Sequence, residues 1–503
     1  MVSSDLYKSA KNFWRLLIPD GGTTERAVKS GVWAMGINII DRILHLGKLI
    51  ILSHFLSPAD FGLLGIALLT RGALRQLSNF RIDAALIQRE ETNVDGYLNT
   101  AWSMQIIRGV GLVLVMFFIA PYISQLMNEP RATDVIRVIS VISLILGLRN
   151  PGILYLTKNL EFHKQFLYQI GSTATNVTTA IILGFIYQSV WALVVGALLG
   201  ATVKLGLSYI IQDYRPQVDF NSEMARELLG YGKWMAVESI AVFSVANGDD
   251  AFVGWFLGAS ALGLYQIAYR FSDAPARELS QVISSVAFPT YSKIQNQSKQ
   301  LQQGVFKTIT LTTSVSFPAA IGILAVTPQF IHTFFDDRWL PVIVPMQILA
   351  VFGMTRSVRA TTSALYRAVG HPNYDALLDI FHFLIIAIFI YPAAVRSGLI
   401  GTSIVVSASV LLVVALDLYV AANVMSVSYI SVVNQFKFPL IASIGMGIVV
   451  LSSGTLLPKE GLWVFLLLSL IGVFSYSLFI LGFERRWGFG LSEVITTIKQ
   501  SFN

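Results

Sequence analysis

The chemistry of this sequence lies in ionised side chains set inside apolar stretches, because each must find a counter-charge, water or a charged cargo there. Between Ser30 and Leu56 the chain carries Asn38, Asp41, Arg42, His45 and Lys48, most of them three or four apart and so on one stripe of a helix. Counted from Ser30, Arg42 lies roughly 18 Å along the axis and Lys48 roughly 27 Å, so neither is a cytoplasmic flank. Arg71 and Arg75, four apart, share a face of the next stretch, and Arg108 follows in the third. A guanidinium stays charged when dehydrated, and its planar fork matches phosphate oxygens. The set Arg42, Lys48, Arg71 and Arg75, with Asp41 as its nearby acid, therefore points to an anionic cargo. The alternative is that each cation is structural, held by an acid or a helix-end carbonyl.

The second half is more acidic. Glu238, Asp249, Asp250 and Asp417 are candidate ion-coupling carboxylates, since a buried carboxylate can exchange a proton near neutral pH. The alternative for each is a partner for a neighbouring base. Arg270, Asp273 and Arg277 follow at steps of three and four, a pattern that also makes local ion pairs along one helix. Arg149, Arg356 and Arg359 lie toward inner helix ends, where snorkelling accounts for them.

The elements that position these groups are membrane helices. The 503 residues are 54% hydrophobic and 13% charged, with mean hydropathy +0.64. Spans near the roughly 20 apolar residues that a bilayer requires are predicted at 30–56, 61–87, 97–122, 133–156, 165–187, 190–212, 230–257, 262–289, 307–333, 341–366, 374–395, 399–423, 435–455 and 461–483. The first hairpin recurs 201 positions later: Gly31 falls on Gly232, Trp33 on Trp234, Gly47 on Gly248, Phe55 on Phe256 and Gly62 on Gly263. The expected fold is all-α, with about 14 spans in two pseudo-symmetric six-helix lobes plus a C-terminal pair. Residues 1–29 form a cytoplasmic segment, 30–213 the N-lobe, 214–229 a linker, 230–425 the C-lobe, 426–484 the last pair and 485–503 a tail.

Lys and Arg concentrate on the starting side, as in the loop Tyr291 to Lys307, which puts both termini in the cytoplasm. Parallel repeats of six helices predict a two-fold axis along the membrane normal and a site between the lobes. The offset aligns Lys48 with Asp249 at equal depth, so these two are a candidate outer gate. Trp33, Trp191, Trp234, Trp255, Trp339 and Trp463 fall at helix ends, as interfacial anchors do.

Several classes are disfavoured. The net charge of +7 reads as the positive-inside bias, so no nucleic-acid partner is expected. With no Cys there is neither a disulfide framework nor a thiolate metal site. No two His fall at a ligand spacing of three or four, so no metal site is expected, and no signal peptide is expected before Gly31. The chain lacks a phosphate loop for ATP hydrolysis. A membrane glycosyltransferase or polymerase needs oriented carboxylates at the interface. The acidic pair Asp336-Asp337, followed by Arg338, reads as a solvated turn instead. Asn176-Val177-Thr178 matches a glycosylation acceptor but falls inside a predicted helix and is set aside.

The turn Leu56-Ser57-Pro58-Ala59-Asp60-Phe61-Gly62-Leu63, its counterpart Leu257-Gly258-Ala259-Ser260-Ala261-Leu262-Gly263-Leu264-Tyr265, and Ala287-Phe288-Pro289 resemble the polysaccharide transporters. These are the Wzx-type flippases of the multidrug/oligosaccharidyl-lipid/polysaccharide exporter superfamily. The resemblance covers nearly the whole chain. It implies a non-enzymatic transporter of the cytoplasmic membrane that moves a polyprenyl-(di)phosphate-linked oligosaccharide to the outer leaflet by alternating access, without a cofactor. Movement against a gradient calls for a driving force, either protons or sodium bound at the carboxylates above or the membrane potential without specific ion binding. The related lipid II flippase uses cationic residues in its first, second and eighth helices, and Arg42, Lys48, Arg71, Arg75 and Arg270 occupy such helices here. Implied partners are the glycan lipid, membrane lipids, and the polymerase and glycosyltransferases of the pathway, around a monomeric transport unit. The rival within the superfamily is a multidrug exporter, for which Asp249 and Asp250 supply the acidic side chains.

Overall fold

The computed structural model describes residues 23–78, 94–159, 161–222, 224, 242–458 and 460–488, and their regular structure is entirely helical. The chain divides into two compact units, Met1–Asn247 and Gly248–Asn503.

In the first unit, α1 (Thr23–Ser53) leads to α2 (Pro58–Leu77). The turn between them is set by local chemistry. Ser57 accepts a hydrogen bond from Asp60 N–H, Asp60 reaches back to Ser57 N–H, and Pro58 opens the helix where no donor is needed. Then follow α3 (Val94–Leu126), α4 (Ala132–Gly147), a short α5 (Leu154–Lys158), α6 (Phe162–Tyr187) and α7 (Val190–Ile211). The span expected at 133–156 is corrected: α4 ends at Gly147 and a 3₁₀ turn, Pro151–Ile153, intervenes. Pro151 drives Asn150 out of helical geometry, and the Asn150 side chain accepts from Gly152 N–H instead. Helix α1 packs on α6, α6 on α7, and α4 on both α2 and α3.

The second unit contains most of α8 (242–256), then α9 (Gly258–Ile294), α10 (Ser298–Phe334), α11 (Ile343–Ala368) and α12 (Asn373–Val424). A break at Ser397 and Gly398, the latter at φ 54°, divides α12 where two spans were expected. Helix α11 packs against α9, α10 and α12. A short α13 (Tyr429–Val433) precedes α14 (Lys437–Thr455) and α15 (Leu462–Trp487). This terminal pair docks on α10, where Tyr476 donates to Ser314 O at 2.6 Å.

The repeat is visible in side chains as well as in register. Phe55 meets Phe185 edge-on at 5.7 Å, and Phe256, its counterpart 201 positions on, meets Tyr391 at 5.2 Å. In each case the end of the lobe's first helix is pinned to its fifth.

Eight of the described helical segments are long and apolar enough to cross a membrane by length and composition. Helices α1, α2 and α9, which carry the charged stripes, fall outside that group. The burial pattern is that of a lipid-solvated protein. Phe118, Leu470 and Phe474 are about two-thirds exposed, while Asp417, Thr362 and Ser403 are fully buried. Apolar groups meet lipid, and polar groups find partners inside.

Two of the tryptophans expected as interfacial anchors are core residues. Trp33 packs edge-on against Phe166, and Trp339 is completely enclosed beside Phe335. Trp191, Trp255 and Trp463 are exposed, and Trp234 lies outside the described residues.

Candidate functional site

In the first unit the polar stripe of α1 is answered by one on α6. Lys48 Nζ donates to Asn176 Oδ1 at 3.0 Å. Asp41 accepts from the Thr173 hydroxyl at 2.5 Å and from Gln169 Nε2 at 3.4 Å, and His45 lies 3.8 Å from its carboxylate. The Lys48–Asn176 and Asp41–Gln169 pairs share an offset of 128 residues, so α1 and α6 run parallel in one register. That direction agrees with the first and fifth of successive spans.

Helix α7 holds α6 in place through small residues. A Cβ on Gly196 would lie 2.8 Å from Asn176 O, and one on Gly200 would lie 2.9 Å from Asn176 Cβ. Such glycines let two backbones approach closely in a membrane. Lower on the same interface Lys204 Nζ donates to Gln169 Oε1 at 2.6 Å. Gly196→Val is therefore expected to lower thermal stability by about 1–3 kcal/mol, because a backbone carbonyl cannot yield as a side chain can. Thermal unfolding of the purified variant checks this, and an unchanged midpoint would contradict the close approach.

The expected phosphate ligands sit as follows. Arg71 Nε donates to Ser143 Oγ on α4 at 3.2 Å. Arg75 is exposed, and the buried Nε of Arg42 has no hydrogen-bond partner among the described residues. Of the described acids, none forms an ion pair with Arg42, Arg71 or Arg75. Arg270, in the other unit, is exposed and lies within electrostatic reach of Asp250.

The expected coupling carboxylates are well seated. Tyr265 donates to Asp249 Oδ2 at 2.7 Å, and Gln266 Nε2 donates to Asp250 Oδ2 at 3.3 Å. Asp417 is fully buried and accepts from the Thr362 hydroxyl at 2.6 Å and the Tyr366 hydroxyl at 2.7 Å. Glu238 lies outside the described residues. The candidate gate residues belong to different units, and each has a partner in its own: Asn176 for Lys48, Tyr265 for Asp249.

The three cations near inner helix ends, for which snorkelling is the plain alternative, each have a partner within the protein. Arg356 pairs with the buried Asp273 at 3.0 Å, so the acid of the expected α9 triad reaches across to α11. The Arg277 side chain lies outside the described residues. Arg359 pairs with Asp379 at 2.7 Å and Asp375 at 3.4 Å, and Ser363 donates to Asp375. Arg149 turns inward to the Tyr168 hydroxyl at 3.1 Å.

Sequence reasoning missed Gln169, Thr173, Asn176, Lys204, Asp375 and Asp379. A signal for the first three exists: 41, 45, 48 and 169, 173, 176 carry polar residues at the same 4–3 spacing. Asp336, as expected of a solvated turn, accepts from Arg338 N–H and pairs with the Arg338 guanidinium.

Residues 51–344 match the protein family described as "Polysaccharide biosynthesis protein". Over 393 residues the chain is 25% identical to "Lipopolysaccharide biosynthesis protein WzxC" of Escherichia coli strain K12, covering 77% of this chain and 78% of that one. Its fold is similar to that of the solved lipid II flippase MurJ in an inward closed conformation, with a TM-score of 0.74 at 17% identity over 90% of this chain and 99% of that one. An inward-facing multidrug transporter of the MATE family is also similar, with a TM-score of 0.59 at 16% identity over 77% of this chain and 96% of that one.

Proposed function

Since the chain belongs to the polysaccharide biosynthesis protein family, we propose that it is a flippase for a polyprenyl-(di)phosphate-linked oligosaccharide. It carries this lipid from the cytoplasmic to the outer leaflet by alternating access of its lobes, 30–213 and 230–425, and catalyses no covalent step. It resides in the cytoplasmic membrane with both termini inside and acts as a monomeric unit beside the polymerase and glycosyltransferases of its pathway.

The observation that carries this reading is the charge of the first unit. Arg42, Arg71 and Arg75 enter its helices, and among the described residues no carboxylate forms an ion pair with any of them. A cation in such a helix without an acid needs water, a neutral acceptor or an anionic ligand, and the phosphate of the lipid supplies the last. Arg42, Lys48, Arg71, Arg75 and Arg270 seat the lipid phosphate. The cavity of a cationic-drug exporter calls for the opposite sign.

Asp249, Asp250, Asp417 and Glu238 are the coupling carboxylates, using protons or sodium. Translocation of a labelled lipid-linked glycan in proteoliposomes tests both claims. Transport should depend on the diphosphate and rise under an imposed pH or sodium gradient. Indifference to both gradients would remove ion coupling, and absence of translocation would remove the flippase reading. Lys48 and Asp249 form the outer gate, so single reversals Lys48→Asp or Asp249→Lys should stop transport and the double exchange should restore it. Failure of the exchange to rescue would end the gate proposal.

A further inference from the structure

Two cations of the first unit that the proposed phosphate seat does not use converge on one tyrosine. Tyr168, on α6, is 5% exposed. Its hydroxyl accepts from Arg149 Nη1 at 3.1 Å, while Lys204 Nζ stands 5.1 Å from the centroid of its ring. Arg149 Nε is spent on Leu146 O at 2.9 Å, and Lys204 donates to Gln169 Oε1 at 2.6 Å. All these partners are neutral. A hydroxyl, a ring face, an amide and a carbonyl orient the two cations without cancelling their charge.

Asp41 lies within electrostatic reach of Lys204 and offsets part of this charge, but it forms no ion pair with Lys204 and is engaged by Thr173, Gln169 and His45. Among the described residues neither Arg149 nor Lys204 has an ion pair. Arg75 adds a third positive charge within electrostatic reach of Lys204. Both side chains are half-buried, so a ligand can approach them. Lys204 lies about 10 Å from the C-terminal end of α7, and Arg149 follows the end of α4, so the pair stands toward one end of the helices. A guanidinium and an ammonium held by one tyrosine, within electrostatic reach of each other, supply two positive charges that suit a dianion.

We propose that Arg149, Lys204 and Tyr168 form a second anion site, which takes the diphosphate of the lipid substrate on its way to Arg71 and Arg75. The assignment rests on the flippase reading and adds α4, α6 and α7 to the helices that touch the headgroup. Tyr168 positions the two cations and does not itself neutralise the ligand.

The test is binding to the full-length chain in nanodiscs of neutral lipid, titrated with polyprenyl diphosphate, polyprenyl alcohol and inorganic diphosphate. The Arg149→Gln, Lys204→Gln double variant should bind polyprenyl diphosphate about tenfold or more weakly, because two charge-assisted contacts are lost. Its weak binding of the alcohol should not change. The charge-keeping pair Arg149→Lys, Lys204→Arg should bind at least about threefold more tightly than the neutral double, since it keeps both charges while giving up the guanidinium fork at Arg149. Equal losses in both doubles, or wild-type binding by the neutral double while Arg71→Ala, Arg75→Ala binds poorly, would overturn this site and leave the flippase reading standing. Competition by inorganic diphosphate at equal concentration would overturn the lipid assignment. If the wild type binds alcohol and diphosphate alike, both the site and the function fall.

Discussion

Cells whose only copy carries Arg71→Ala and Arg75→Ala should accumulate the lipid-linked oligosaccharide nearly as strongly as cells without the gene, while the protein is made at its normal level. Arg71 has one described hydrogen bond, to the neutral Ser143 hydroxyl, and Arg75 is exposed. Removing them strands no described carboxylate, so the fold loses little. The substrate loses two charge-assisted hydrogen bonds at about 1.5–3 kcal/mol each, which is roughly a hundredfold or more in affinity. Lys at both positions should restore part of the transport, since it keeps the charge and gives up the fork. Clearance of the lipid by the Ala double variant at wild-type rate would show that these arginines are structural.

The second large effect is at Asp417. Its carboxylate holds the Thr362 and Tyr366 hydroxyls in a fully buried setting. Asp417→Ala removes that acceptor from both, while Thr362 keeps Arg359 O at 3.0 Å and Tyr366 keeps the residue 417 carbonyl at 2.8 Å, so each loss costs about 0.5–1.5 kcal/mol and the unfolding midpoint should fall. Asp417→Asn keeps the shape and one of the two acceptor oxygens, and should unfold closer to wild type than the Ala variant. The Asn variant has lost the ionisable group, so an account in which Asp417 couples an ion predicts translocation that no longer responds to an imposed gradient. If the Asn variant still answers the gradient, Asp417 is an anchor for α11 and α12 and coupling lies with Asp249 and Asp250.

The hairpin repeat, the turn at Ser57-Pro58 and the break between the eleventh and twelfth spans were legible in the sequence because each follows from local chemistry or strict register. The early end of α4 was legible too, since Asn150-Pro151 announces it, but apolar residues on either side concealed it. Partners were not legible. Arg356 finds Asp273 83 residues away, and Lys48 finds Asn176 128 residues away. Hydropathy fixes the depth of a charge and leaves its azimuth open, which only the packing of α6 and α7 around Gly196 and Gly200 decides. Lys204 escaped notice for that reason: alone on an apolar helix it has no stripe, and its company appears only when α6 brings Tyr168 and Gln169 alongside.

The most direct measurement is mass spectrometry of polyprenyl-linked lipids from cells lacking this gene, beside cells with the gene restored. The account predicts that a lipid-linked oligosaccharide accumulates in the first and returns to its normal level in the second, and its mass names the cargo. If no such lipid accumulates while efflux of cationic dyes falls, the chain exports drugs, and the cations of the first unit are structure.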